Sequence, residues 1–585
     1  MVSTVFRRWV LTWCFFLPVF GVFLVQAAEF KPFLKLQIPG PTALCTLAEK
    51  VGAVIDPNDT SGLVASLTPY KNLPGMDPAG TIGLAIQMNE DSVLGMDFVL
   101  VLPINDLSKF TLPGLPEEFE SMFSLLRMAI PPDGKLELPT PLGKITVYQR
   151  KGYFIIATEG AAPSVAASDR KQMFPESEPY TFTVHVDWED VSAESIEAAL
   201  GVFSAFPLML GMSGGGNDTG EGFNIDALLK SVTDLRDEFS SVMADVTLDP
   251  KTLDLAGMVQ FTPRQGSSWS EKCLNMKNAK TKWDTFLPDN PQMVYVAHCL
   301  DYYTDKGADE AKLLLKLLGE SFVQGLSEAA EDGNGRKQLT QAAERFLGYV
   351  GKVMDVLAEN KLADYVVGLD SEGTLLLAMA TDKTAAVTKL GEECFGSLAE
   401  IFGVETGKTF MESKMKRDYE TVAGYSLSCV ANVFADLPES VVLPNAVKNI
   451  PLSLFWAVKE GEAVVYAAGL DVAKTEQTLK DALARTASAE KPKQIFLFVG
   501  LKPLRELLQK QILPLFERAG LEYQEGKELV AKLGDADVKA RMVITTEFPD
   551  DACRYSFKVN GKVFETFLEV FAELFTPGSG VGAAP

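Results

Sequence analysis

A chain of 585 residues is too long for one hydrophobic core and predicts two or more domains. Its formal charge of −24 repels phosphate backbones and anionic lipid, which excludes nucleic acid and a polybasic membrane surface as partners. With only two histidines, His185 and His298, mechanisms that use imidazole as general base or metal ligand have little to draw on.

The N-terminus opens on the basic pair Arg7-Arg8, an apolar stretch from Trp9 to Val25, and the small-residue site Val25-Gln26-Ala27. This order predicts a secretory signal peptide over residues 1–27, cleaved after Ala27; the alternative is an uncleaved N-terminal anchor. The Arg pair is similar to a twin-arginine signal, but so apolar a core favours the general secretory route. Cys14 lies within that core behind Trp13, not after a small residue at its end, which argues against a lipoprotein. Cleavage would move the charge from −24 to −26, since Arg7 and Arg8 are lost. No later stretch is long and apolar enough to span a bilayer, so the mature chain is expected to be soluble and secreted or periplasmic.

Hairpins follow. "TIGLAIQMNEDSVLGMDFVLVLP", from Thr81, has two apolar runs around Asn89-Glu90-Asp91, and "GKITVYQRKGYFIIATEG" turns at Arg150-Lys151-Gly152. The single strand "YTFTVHVDW" carries His185 and leads into the helix-like "SAESIEAALGVFSAF". In a strand His185 and Asp187 share a face, which is a thin basis for a site.

Gly211-Met212-Ser213-Gly214-Gly215 matches the G-x-S-x-G nucleophile elbow. That chemistry needs a strand before the serine and a helix after it; here a helix-like run precedes and "GGGNDTGEG" follows. Asn217, Asp218 and Glu221 offer oxygens to calcium, but the EF-hand order is absent and a solvated connection explains them as well. "ADVTLDPKTLDLAGMVQFTP" is the next hairpin, turning at Asp249-Pro250.

The polar, Pro-bearing "WDTFLPDNPQ", residues 283–292, reads as a domain boundary. Beyond it "QMVYVAHCL" bears His298, followed by the helix-like "ADEAKLLLKLLGESFVQGL". His298 and Asp301 fall on opposite faces of this strand, and adjacent His298 and Cys299 point to opposite sides, so no Cys–His dyad forms. "DYVVGLDSEGTLLLAMATD" is a hairpin at Ser371-Glu372-Gly373, with the helix "DKTAAVTKLGEECFGSLAEIF" behind it.

"FGVETGKTF", Phe402 to Phe410, resembles a phosphate-binding loop. The spacing fails: three residues separate Gly403 from Gly407-Lys408-Thr409 where four are needed, and Phe402 stands where the first glycine belongs. An amphipathic helix precedes it instead of a strand, so Gly403 reads as a helix C-cap and no nucleotide is expected.

"LSLFWAVKEGEAVVYAAGLD" and its helix "DVAKTEQTLKDALA", the strand "KQIFLFVGL" with "KPLRELLQKQILPLFERAG", and the hairpin "VKARMVITTEFPDDACRYSFKVNG" with "GKVFETFLEVFAELF" complete the order. Hairpin, hairpin, single strand and hairpin from about residues 81, 145, 180 and 244 recur from 364, 452, 494 and 538. The expectation is α+β: two similar, duplicated domains over 28–285 and 286–575, each a mainly antiparallel sheet with helices on one face. A disordered tail is expected over 576–585.

Six cysteines survive cleavage (Cys45, Cys273, Cys299, Cys394, Cys429, Cys553) without metal-ligand spacing, and segments such as "YSLSCVANVF" read as core. An oxidising compartment permits disulfides, but the sequence does not pair them. The units "LPDNPQMVYVAHCLDYY" and "EKPKQIFLFVGLKPL" are similar to those of large, uncharacterised secreted bacterial proteins built of strand–helix and hairpin–helix units; that group supplies no catalytic residues.

The residues therefore favour a non-enzymatic extracytoplasmic binding or structural protein, with no cofactor, whose partner is another protein or an apolar small molecule. A second reading places a lipid or other apolar ligand in a cavity between sheet and helices, since Phe and Met are plentiful. A third is a hydrolase using two carboxylates alone, for which no pair can be chosen.

Overall fold

The computed structural model describes residues 31–55, 68–89, 96–111, 134–140, 143–150, 152–167, 180–189, 233–277, 281–283, 292–302, 333–359, 361–401, 412–433, 451–486, 495–518, 524–534, 538–549 and 551–575, with isolated positions between them such as Phe174, Val191, Phe286 and Leu287. It is α+β and mostly antiparallel sheet. The chain divides into two compact units: unit 1 holds residues 1–269 and 552–585, unit 2 residues 270–551. The last strand and helix, residues 552–585, belong with the N-terminal unit.

Unit 1 is built on β1 (Leu34–Pro39), β2 (Thr81–Met88), β3 (Met96–Leu102), β4 (Lys135–Thr140), β5 (Gly143–Arg150), β6 (Tyr153–Thr158), β7 (Thr181–Asp187), β8 (Phe239–Leu248), β9 (Leu255–Pro263) and, from the far end of the chain, β19 (Cys553–Val559). Antiparallel ladders place them in the order β4-β5-β6-β3-β2-β1-β7-β8-β9-β19. Helix α1 (Pro41–Ile55) follows β1, α2 (Ala162–Ala167) follows β6, and α10 (Gly561–Phe575) follows β19. One face packs Ala85, Val99, Val101, Tyr148, Ile155 and Ala157 against Ala161 and Val165 at α2. On the other, Leu47 of α1 and Phe564 of α10 cover Phe182, Leu248 and Leu255.

Unit 2 begins with α3 (Ser268–Met276), whose first residues belong to unit 1, and continues through β10 (Met293–Tyr302), α4 (Gly333–Glu359), β11 (Leu362–Asp370), β12 (Leu375–Ala380), α5 (Thr384–Ile401), β13 (Lys416–Val422), β14 (Tyr425–Val430), β15 (Ser453–Lys459), β16 (Ala463–Gly469), α6 (Val472–Thr486), β17 (Ile495–Gly500), α7 (Leu501–Leu507), a π turn (Leu508–Ile512), α8 (Leu513–Arg518), α9 (Gln524–Leu533) and β18 (Arg541–Glu547). Its ladder order is β13-β14-β15-β16-β12-β11-β10-β17-β18, again antiparallel throughout.

Helices lie on both faces of the unit 2 sheet, not on one. Ala463, Val465 and Ala467 of β16 face Leu479, Ala482 and Leu483 of α6. The alternate residues Val464 and Tyr466 face Val387 of α5 and Val353 and Val356 of α4. The cause is visible in "AVVYAAG": a strand covered on both sides is apolar continuously instead of alternating.

The stretch expected as a polar connector is in part core. Trp283 and Phe286 are fully buried and pack edge to face, with ring centroids 5.4 Å apart, and Leu287 joins them against Val296, Val366 and Phe498. Among the described residues no helix is long and apolar enough to cross a membrane.

Candidate functional site

Strands β7 and β19 alternate apolar with polar residues, and β8 and β9 do so in part, so the ladder sorts them onto two faces. On one face stand Phe182, Val184 and Val186, opposite Val246, Ala244 and Val242 of β8. Ala244 and Val242 in turn oppose Val259 and Phe261 of β9, and these oppose Tyr555 and Cys553 of β19. Phe557 lies over Gly257, where an added Cβ would sit 2.4 Å from its ring. Phe261 meets Tyr555 edge-on at 6.0 Å and Phe239 at 5.0 Å.

These side chains form an apolar strip, half-buried from Phe182 through Phe557, where cores elsewhere in the unit are closed. Leu47 and Phe564 bound it at one end. At the other, Trp188 packs with Phe33, Met88, Val186 and Val191, and its buried indole Nε1 has no hydrogen-bond partner among the described residues. The end is fixed by backbone: Arg264 donates from Nη2 to the Trp188 carbonyl at 2.6 Å and from Nε to the Arg236 carbonyl at 2.6 Å, while Arg236 Nε donates to the Val191 carbonyl at 3.0 Å. An apolar strip four strands wide, framed by helices at one end and an aromatic cluster at the other, can hold an apolar molecule by area alone.

The opposite face of the same strands is polar. Lys35 of β1 stands across from His185, His185 from Met243, Met243 from Gln260, and Gln260 from Arg554, whose Nε and Nη2 donate to Gln260 Oε1 at 3.0 and 2.8 Å. His185 shares this face with Asp187, as its strand position requires. Its imidazole is pushed below the ordinary range, first by burial and then by Lys35, with Asp187 and Asp245 opposing. Gln37, buried on the same face, donates from Nε2 to Thr81 Oγ1 at 3.0 Å.

The structure does not bring the two histidines together as one site. His298 lies in β10 on the core face of unit 2, buried beside the Leu287 backbone, to which it hydrogen-bonds; burial drives its pKa down to about 4. Cys299 points to the other side, as expected of strand neighbours. The six described cysteines form no disulfide with one another, and burial pushes the thiols of Cys45 and Cys299 up to about 11 and that of Cys394 to about 12. At neutral pH such thiols are protonated and poor nucleophiles.

Among the described residues no cluster of three or more His, Cys, Asp or Glu is placed to hold a metal ion. The Gly211–Gly215 motif, the oxygens of Asn217, Asp218 and Glu221, and the loop Phe402–Phe410 all lie outside the described residues. The helix expected before that loop is α5. Sequence reasoning placed the β7 strand and its hairpin partners but missed the strip they make. The signal was present: "FTVHVDW" and "CRYSFKV" each alternate strictly, and reading them together as one face would have found it.

Comparison with known proteins found no matching family model, no matching curated protein and no matching solved structure.

Proposed function

We propose that this chain is a non-enzymatic, extracytoplasmic binding protein that holds an apolar ligand, such as a lipid or lipophilic group, on the strip formed by β7, β8, β9 and β19. The reading rests on one observation: ten apolar side chains, Phe182, Val184, Val186, Val242, Ala244, Val246, Val259, Phe261, Tyr555 and Phe557, share one sheet face and stay half-buried. A face of that kind on a soluble protein is a place of contact, because exposed apolar area costs about 25 cal/mol per Å². The signal-like residues 1–27 support export, which would suit a carrier of poorly soluble molecules.

The non-enzymatic part is supported by the chemistry of the groups that could react: protonated buried thiols, a sequestered His298, and a His185 kept neutral by burial and Lys35. We also propose that the chain arose by duplication. The runs β5-β6-β3-β2-β1-β7-β8 in unit 1 and β15-β16-β12-β11-β10-β17-β18 in unit 2 have the same order and sense, and helices α2 and α6 follow β6 and β16.

The test is uptake of diphenylhexatriene, a pure hydrocarbon fluorophore, by the mature chain and by Val259→Asp. A carboxylate set in the middle of the strip is expected to weaken uptake at least about tenfold, since it cannot be desolvated without a partner. Equal uptake by a folded Val259→Asp protein, or none by the parent, would refute the assignment.

A further inference from the structure

In unit 2 the segment that carries Thr281, Lys282, Trp283, Phe286 and Leu287 is tied to the sheet by a small set of polar contacts. Thr281 Oγ1 donates to Asp364 Oδ1 at 2.7 Å, and the Lys282 N–H donates to Asp364 Oδ2 at 2.8 Å. The Trp283 indole N–H reaches the Asp364 carbonyl at 3.0 Å, and Arg485 Nη2 of α6 donates to the Phe286 carbonyl at 3.2 Å. The last tie is the hydrogen bond between His298 and the Leu287 backbone.

Two titratable residues thus hold one end each. Asp364 and His298 are 5% and 8% exposed. In the β10–β11 ladder His298 stands opposite Val366 and Leu300 opposite Asp364, so the two side chains are diagonal neighbours on one face. Such neighbours lie about 7 Å apart, within reach of a rotamer change. His298 Nδ1 is buried with no hydrogen-bond partner among the described residues. A bare lone pair there is tolerable; an N–H⁺ in the same place is not.

We infer that this segment is an acid-labile latch, in which a proton taken from solvent onto His298 Nδ1 makes the imidazolium compete with Thr281 and Lys282 for the Asp364 carboxylate and so releases the segment. The groups facing His298 leave Asp364 as its acceptor. Val366 and Gly368 on β11 and Phe498 on β17 are uncharged, while Lys282 and Arg485 are tied elsewhere on the segment, by the Lys282 backbone N–H to Asp364 and by Arg485 Nη2 to the Phe286 carbonyl. The step is reversible and moves one proton. Its consequence is exposure of Trp283 and Phe286, which otherwise seal the unit 2 core.

Hydrogen exchange of the mature chain at about pH 7.5 and about pH 5, corrected for the intrinsic pH dependence of exchange, tests the latch at the Lys282 and Trp283 amides. With the imidazole held near 4 when closed and at its ordinary value when released, opening should rise about thirtyfold between those conditions. His298→Gln should keep the segment protected at both pH values, and Asp364→Asn should leave it poorly protected at both. Unchanged protection in the parent, an equal loss in His298→Gln, or a loss shared by unit 1 peptides would each overturn the inference. Should His298→Gln not fold, the parent and Asp364→Asn still decide it.

Discussion

In unit 1 one cross-strand row over β1, β7 and β8 reads Lys35, His185, Met243; in unit 2 the row over β10, β17 and β18 reads Val296, Phe498, Val543. The ladders are alike in order and sense, and the surfaces are opposite in kind. The unit 2 row is roofed by Trp283, Phe286 and Leu287, and its neighbourhood is closed core. In unit 1 this face is core over β2, β3, β5 and β6 but turns polar over β7 and β8, and the reverse face of β7 and β8 carries the half-buried apolar strip. Strand order fixes where a face lies; side-chain alternation decides whether it becomes core, solvent surface or contact surface.

The comparison can be broken first at the roof of unit 2. Trp283→Ala should cost about 3–5 kcal/mol, because a fully buried indole is replaced by a cavity and the Asp364 carbonyl loses its donor. Denaturant unfolding followed by hydrogen exchange should place that loss in unit 2 peptides and spare those of unit 1. An indistinguishable midpoint would mean that the roof does not seal the core.

Acid should separate the units next. His298 has its pKa depressed by burial, so its neutral form is favoured in the fold. The associated stability is complete above the ordinary histidine value near 6.5 and is lost as pH falls toward 4, by roughly 3 kcal/mol at most. Asp364 acts in the opposite sense, since burial raises its pKa and protonation relieves the penalty. Stability of unit 2 measured between those two pH values should therefore decline more steeply in the parent than in His298→Gln. Parallel curves would remove His298 as the cause.

A smaller effect is expected at Gly257, which has no side chain because Phe557 and the Asp245 carbonyl occupy its space at 2.4 and 2.7 Å. Gly257→Ala should destabilise unit 1 by about 1–3 kcal/mol and reduce hydrocarbon uptake by disturbing the strip. Smallest of all is the polar row: Lys35→Ala, at a half-buried position on the edge of the Ala85 core, should change stability by about 0.5 kcal/mol or less. A large loss there would show that this face is packed against something and would weaken the contrast between the units.

Much of the fold was legible in the chain. The turns at Arg150-Lys151-Gly152, Ser371-Glu372-Gly373 and Glu460-Gly461 lie between paired strands, because Gly and charged residues interrupt β-rich runs there. What escaped had weak periodicity. β13, "KRDYETV", is exposed along almost its whole length at the sheet edge and so carries no buried face to read. β4, "KLELPT", is also terminal in its sheet and contains Pro139. The roof was misread because Asp284, Pro288 and Asp289 surround Trp283, Phe286 and Leu287, so the local average is polar although the three that pack are not. The strip could not be read from any single strand, since it exists only once four of them are in register.

The most direct measurement is native mass spectrometry of residues 28–585, exported and purified without added ligand. The account predicts excess mass that survives gentle ionisation, disappears on denaturation, partitions into organic solvent and is lost in Val259→Asp. A bare protein mass, joined to a failure to take up diphenylhexatriene, would contradict it.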